Sequence, residues 1–209
     1  MQFFRILFIL LFSFNLAEAI NFQKLKSGNI DFWFVEDNSI PIISLSFSIE
    51  GGSSLDPFGK EGLVNLVTSL MDEGTSNYSS KEIKQLMKSS GVKLQLRTHK
   101  NRVDGTFQVI SSQSEKGFEL LNEIINKPVF QEEEIEKVKN QINSSIKIDS
   151  SDISTLANQK FDEYFFKDHR FGRPIKGTLK SIKKITKEDI RKFHKKIFNI
   201  NSLHIGVSG

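Results

Sequence analysis

Ile43, Leu45, Phe47 and Ile49 alternate with Ser44, Ser46, Ser48 and Glu50. A period of two places the apolar side chains on one face of a strand and the polar ones on the other. Such a strand belongs to a sheet with one face on a core and the other face wetter, as antiparallel sheets commonly have. Gly51-Gly52-Ser53-Ser54 ends it and opens a loop. The apolar period then changes. Leu63, Leu66, Val67, Leu70 and Met71 recur at three- and four-residue spacing, the stripe of an amphipathic helix expected over Lys60–Glu73. Asn65, Thr68, Ser69 and Asp72 fall on its other side, and Gly74 ends it.

The same reading continues along the chain. Ile30–Val35 is expected as an earlier strand. Ser79-Ser80-Lys81-Glu82 is a capping box opening a helix with Ile83, Leu86 and Met87 inward and Gly91 at its end. A hairpin follows: Val92, Leu94 and Leu96 alternate with polar neighbours, a turn falls near Lys100-Asn101, and Val103, Gly105, Phe107 and Val109 alternate in return. A helix over Glu115–Asn126 is expected to bury Phe118, Leu121 and Ile125, with Pro128 as its stop. Gln131–Ile148 is a long helix with Glu132, Glu133 and Glu134 where the macrodipole favours acid, and Ile135, Val138, Ile142 and Ile146 inward. Ser151-Asp152 caps another helix, with Leu156, Phe161 and Phe165 expected inward. His169–Thr178 reads as a loop, Thr186–Phe198 as a last helix and Ser202–Val207 as a closing strand. Strands clustered in hairpins and helices in runs predict an α+β domain, an antiparallel sheet packed against helices, rather than a doubly wound parallel sheet.

With 209 residues the chain can build one substantial core. Arg5, the apolar run Ile6–Leu16 and the small residues of Ala17-Glu18-Ala19 have the layout of a secretory signal, so residues 1–19 are expected to be removed and the mature domain to cover 20–209. The apolar run is short for a membrane span, and no stable anchor is expected. There is no cysteine. Export without disulfides fits a bacterial periplasm. The net charge of +4 comes mostly from lysines such as Lys81, Lys84 and Lys88, not interleaved with aromatics, so nucleic acid is not the expected partner.

The stretch Asp56–Thr75 resembles the insulinase family, which includes pitrilysin and the mitochondrial processing peptidase. In that family a similar glycine-led helix carries the zinc motif H-x-x-E-H, then an apolar pair and Gly-Thr. Phe171-Gly172-Arg173-Pro174-Ile175-Lys176-Gly177-Thr178 is similar to the family's P-Y-G-R-P-x-x-G-T loop, and Thr186–His194 to its helix before the final strand. The resemblance covers nearly all of the mature chain and implies the N-terminal peptidase-like domain of that family.

Carried over residue by residue, the resemblance implies lost chemistry. In active members two histidines one turn apart hold zinc and the glutamate between them activates water. Asn65 and Ser69 stand at the histidine positions and Thr68 at the glutamate position. The third ligand, a glutamate in a V-x-x-E-[IL] context, corresponds to Gln141 in Val138-Lys139-Asn140-Gln141-Ile142. No other clasp replaces them, because His99, His169, His194 and His204 include no pair three or four apart. Glu132–Glu134 lack the spaced oxygens of a calcium loop. The expectation is therefore a non-catalytic subunit with no metal or cofactor of its own, zinc being confined to a catalytic partner with intact H-x-x-E-H. It would supply chamber wall and polypeptide-binding surface. Because the polar side of the helix would face that chamber, Asn65, Thr68 and Ser69 should matter little to stability. The chain stops at Ser208-Gly209, after the strand that closes the family's first domain, so the following domain with its Arg/Tyr pair is expected to be missing by truncation. The alternatives are an active zinc peptidase with unrecognised ligands and a stand-alone binding or scaffold module of the envelope.

Overall fold

The one-sided strand sits near the middle of a six-stranded sheet. In the computed structural model, which describes residues 21–198 and 202–209, the strands are β1 (Phe22–Ser27), β2 (Ile30–Val35), β3 (Ile42–Glu50), β4 (Lys93–Thr98), β5 (Arg102–Ile110) and β6 (Leu203–Ser208). The leader expected at 1–19 lies outside the described residues. The order across the sheet is β1-β2-β6-β3-β5-β4. Every neighbouring pair is antiparallel except β2 and β6, which run parallel, so the expected antiparallel sheet is mixed. The long helical stretch before β6 permits this, since parallel pairing needs a long crossover and not a tight turn. The strand β1, absent from the pattern reading, pairs with β2 through Gly28-Asn29, with Ser27 opposite Ile30. That Gly-Asn pair was its signal, and Gly28 adopts the positive φ such two-residue turns demand.

Seven α-helices lie among the described residues: α1 (Leu63–Leu70), α2 (Ser80–Ser89), α3 (Ser114–Asn126), α4 (Glu132–Asp149), α5 (Ile153–Phe166), α6 (Leu179–Lys184) and α7 (Lys187–Ile197). The capping box of α2 is formed as expected: Ser79 Oγ accepts from the Glu82 N–H, and the Glu82 carboxylate accepts from the Ser79 N–H at 2.8 Å. The helix α6 falls between two elements of the pattern reading and is started by its own box, Thr178 with Ser181. The helix α1 is shorter than the expected Lys60–Glu73, because Gly62 takes a left-handed φ of 92° and the helix begins only after it.

The core is made where α1 meets β3, β5, α4 and α7. Leu63, Leu66, Val67 and Leu70 of α1, Ile135, Val138 and Ile142 of α4, and Ile190, Phe193 and Ile197 of α7 are all buried there with Phe47, Ile49 and Val103 of the sheet. Each such side chain contributes about 1.5–3 kcal/mol by leaving water. The tip of the Phe47 ring lies over Gly105 of β5, where an added Cβ would come within 2.0 Å of it. The other face of the sheet, with Ser46, Thr106, His204 and Trp33, stays exposed.

Two helical faces differ from the pattern. In α3 the buried apolar side chains are Leu120 and Ile124, with Gly117 and Glu123 buried beside them, while Leu121 and Ile125 are half-buried and Phe118 is exposed, lying at the rim against the Phe107 ring. In α5 no residue is buried: Phe161 and Phe165 are 60% and 64% exposed, Leu156 is exposed, and Ile153 and Tyr164 join them in solvent. The inward side is held by polar contacts instead. Lys100 bonds to the Asp162 carboxylate and the Phe171 carbonyl, with its ammonium over the Phe166 ring. Periodicity finds an apolar stripe, but it does not say which side the neighbours occupy.

Candidate functional site

The start of α1 is held by a clasp made from two distant segments. The Asp56 side chain, buried in the loop after β3, accepts the N–H of Gly62 at 2.7 Å and of Val64 at 2.9 Å. Burial pushes its carboxyl up to about 7, although those two N–H groups favour the charged form. Arg173 donates to the Asp56 carbonyl at 3.2 Å, and Ser181 Oγ donates to the Glu61 carbonyl at 2.8 Å. Backbone approaches so closely that a Cβ on Gly62 would meet the Lys176 carbonyl at 2.5 Å, and one on Gly177 the Glu61 carbonyl at 2.0 Å. The glycine-led helix start and the Gly-Arg-Pro loop are thus two halves of one joint, which is why glycine is required in both.

The far end of α1 is tied to α2 and α4 through Glu73. Its carboxylate accepts from Lys137 at 2.6 Å, Ser80 at 2.6 Å and Lys84 at 3.1 Å. Burial alone would raise its pKa, but these three donors outweigh burial and hold it at about 2. Lys137 also bonds Glu134, and lies one turn before Gln141 on α4.

Between these ties lie Asn65, Thr68, Ser69 and Gln141, the residues that the resemblance sets against the zinc motif. Ser69 of α1 and Gln141 of α4 are exposed and Asn65 is half-buried, as a face turned to an open space requires. Thr68 departs from the expectation: it is only 6% exposed. Its hydroxyl bonds the Asn65 carbonyl at 3.0 Å and pairs with Thr98 Oγ1 of β4 at 2.9 Å, so it is packed between helix and sheet. The polar side of α1 is therefore split, and Thr68 belongs to the structure that holds α1 on β4. Ser69 Oγ is likewise committed, donating to the Asn65 carbonyl at 2.8 Å.

This donor set does not fit zinc. Two amides and hydroxyls turned to their own helix backbone offer neither imidazole nor carboxylate, and Thr68 has no basic group with which to activate water. Among the described residues no group of three or more His, Cys, Asp or Glu side chains is placed to hold a metal ion. The histidines are spread apart. His99 pairs with Asp104 at the hairpin, His169 accepts from the Phe171 N–H in its loop, and His204 is exposed on the wet face of the sheet. His194 lies at the core edge, bonded to the Ile125 carbonyl at 2.9 Å, where burial lowers its pKa. Asp56, Glu73, Lys137 and Thr98 were not singled out from the sequence. Their partners lie at separations only the fold defines, although an aspartate six residues before the helix-starting glycine hinted at a cap.

The helix-start clasp, the glycine-rich loop seated against it and the mixed sheet with helices on one face make up a single α+β domain. The chain belongs to the insulinase family, peptidase family M16, whose sequence pattern matches residues 34–204. It is 24% identical over 193 residues to the "Non-peptidase homolog YmxG" of Helicobacter pylori, covering 92% of this chain and 45% of that protein. It is 26% identical to an "Uncharacterized zinc protease" of Rickettsia felis, covering 93% of this chain and 47% of that one. The chain thus spans somewhat under half the length of these relatives. The fold is shared with the crystal structure of a "peptidase M16 inactive domain" from Pseudomonas fluorescens, with a TM-score of 0.85 at 22% identity over 90% of this chain and 46% of that one.

Proposed function

We propose that this chain is a non-catalytic member of its family, a pseudo-peptidase subunit lending chamber wall and polypeptide-binding surface to a catalytic partner that has H-x-x-E-H. The observation that carries this reading is the site itself. Asn65, Thr68, Ser69 and Gln141 all lack zinc-binding or basic groups, and both hydroxyls are engaged, that of Thr68 with Thr98 of β4 and that of Ser69 with its own helix backbone. The names of the Helicobacter and Pseudomonas relatives support it; that of the Rickettsia relative points the other way.

Two further features support the surface roles. The strand β4 is an edge of the sheet, with Lys93, Gln95 and Arg97 exposed, and lies against α1. Its free backbone groups can pair with an extended polypeptide, as edge strands do in β-augmentation. The exposed Ile153, Phe161, Tyr164 and Phe165 stripe of α5 is apolar surface of the kind that protein interfaces cover. The signal-like layout of Arg5 to Ala19 supports a periplasmic setting.

The test is zinc analysis after dialysis, and peptide cleavage by the purified chain alone and mixed with an H-x-x-E-H relative from the same genome. Well under one equivalent of zinc, no cleavage alone, and cleavage raised in the mixture are expected. Stoichiometric zinc lost in Asn65→Ala, or cleavage by the chain alone, overturns the reading. Zinc-free protein that leaves the relative's activity unchanged would favour a stand-alone envelope module.

A further inference from the structure

The most concentrated positive charge in the sequence lies outside the four motif positions. Residues 180–196 contain eight basic and two acidic side chains, a net of +6, whereas the whole chain carries +4, so the remainder is net −2. This stretch is α6 and α7, and the core dictates which way its charges point. The helix α7 turns Ile190, Phe193 and Ile197 inward, and α6 buries Ser181 and Ile182. The intervening lysines are thereby forced outward. Lys180, Lys183, Lys184, Lys192, Lys195 and Lys196 are all exposed, and among the described residues none of the six pairs with a carboxylate. Of the two acids in the stretch, Asp189 is already taken by Lys60 at 2.6 Å.

The chemistry of this face narrows its partner. Lysine outnumbers arginine seven to one in the stretch. An ammonium is a mobile, hydrated point charge without the planar fork that reads a phosphate or carboxylate bidentately. No exposed aromatic ring lies among the lysines on which a base could stack; Phe193 is buried, with the Lys196 ammonium 5.6 Å from its ring centre. One large apolar side chain, Leu179 beside Lys180, is 45% exposed. Unpaired ammonium groups with a single apolar contact suit a diffuse anionic surface, not a defined acidic pocket or a base sequence. We infer that α6 and α7 form a peripheral docking face for a bilayer rich in anionic phospholipid headgroups. The contact is electrostatic, carried by these ammonium groups and one apolar side chain; among the described residues no helix is long and apolar enough to cross a membrane. This inference is independent of the pseudo-peptidase reading, because it uses no residue of the motif face.

The experiment is co-sedimentation of the purified chain with vesicles of phosphatidylcholine alone or with about one-third phosphatidylglycerol, at low and high salt. Binding to the anionic vesicles only, released by salt, is expected. The triple variant Lys180→Gln, Lys183→Gln, Lys184→Gln should weaken it on the order of 100-fold. The control triple Lys81→Gln, Lys88→Gln, Lys93→Gln removes the same charge elsewhere and should change it less than about threefold. Thermal melts confirm that both variants fold. Absence of binding to anionic vesicles, equal losses in the two triples, or binding to a DNA duplex as tight as to the vesicles at the same salt would each overturn the inference.

Discussion

Rebuilding the zinc motif with Asn65→His, Thr68→Glu, Ser69→His and Gln141→Glu tests the packing of α1 one position at a time. Ser69 and Gln141 are exposed, so their single substitutions should stay within about 0.5 kcal/mol, and the half-buried Asn65 should add little more. Thr68 is different. It is 6% exposed, and glutamate would place a longer, charged side chain where a hydroxyl now meets Thr98 at 2.9 Å. Losing that hydrogen bond costs about 1 kcal/mol, and overfilling the space costs about 1–3 kcal/mol. Thr68→Glu should therefore cost about 2–4 kcal/mol, enough to lower the melting temperature of a domain this size by roughly 5–15 °C. The quadruple variant should still fold, because Leu63, Leu66, Val67 and Leu70 keep the core, but nearly all of its loss should come from position 68. Urea titrations of each single variant and of the quadruple give the comparison. Thr68→Val, close to isosteric, should lose only the hydrogen-bond part, about 1 kcal/mol. A Thr68→Glu variant as stable as Ser69→His would refute the placement of Thr68 between α1 and β4.

Three other perturbations have defined signs. Asp56→Ala strands two buried N–H groups and should cost about 2–4 kcal/mol; because burial raises the folded carboxyl to about 7 from 3.8, its share of stability should be full below about pH 4, shrink as pH rises to about 7 and then level off, by at most about 4 kcal/mol, and Asp56→Asn should abolish that slope in a pH series of urea titrations. Glu73→Gln weakens charged hydrogen bonds from Lys137 and Lys84 and should cost about 2 kcal/mol at neutral pH; with the folded carboxyl held near 2, below 4.5, the wild-type advantage should be present above about pH 4.5 and disappear as pH falls towards 2. Phe161→Ser with Phe165→Ser should leave stability within about 1 kcal/mol, since both rings are exposed, yet weaken binding to the proposed catalytic partner in a sedimentation titration; unchanged partner binding would remove α5 from the interface.

The sequence by itself determined the α+β class and the core stripes of α1, α4 and α7, and it supplied the side chains that the resemblance places at the four motif positions. These are local quantities. A period of two or of 3.6 fixes which residues share a face, and the identity of a side chain fixes whether it can bind zinc or move a proton. Only the tertiary structure decided what each face meets. It turned the apolar stripe of α5 outward, because Asp162 and Phe166 on its other side are engaged by Lys100. It withdrew Thr68 from the polar face, because β4 lies against α1 there and supplies Thr98. It made β2 and β6 parallel neighbours, and it joined Asp56 to Gly62 and the loop at Arg173 to the start of α1. Each outcome depends on partners remote in the chain, and burial and hydrogen bonding are properties of the pair, so no single segment carries them.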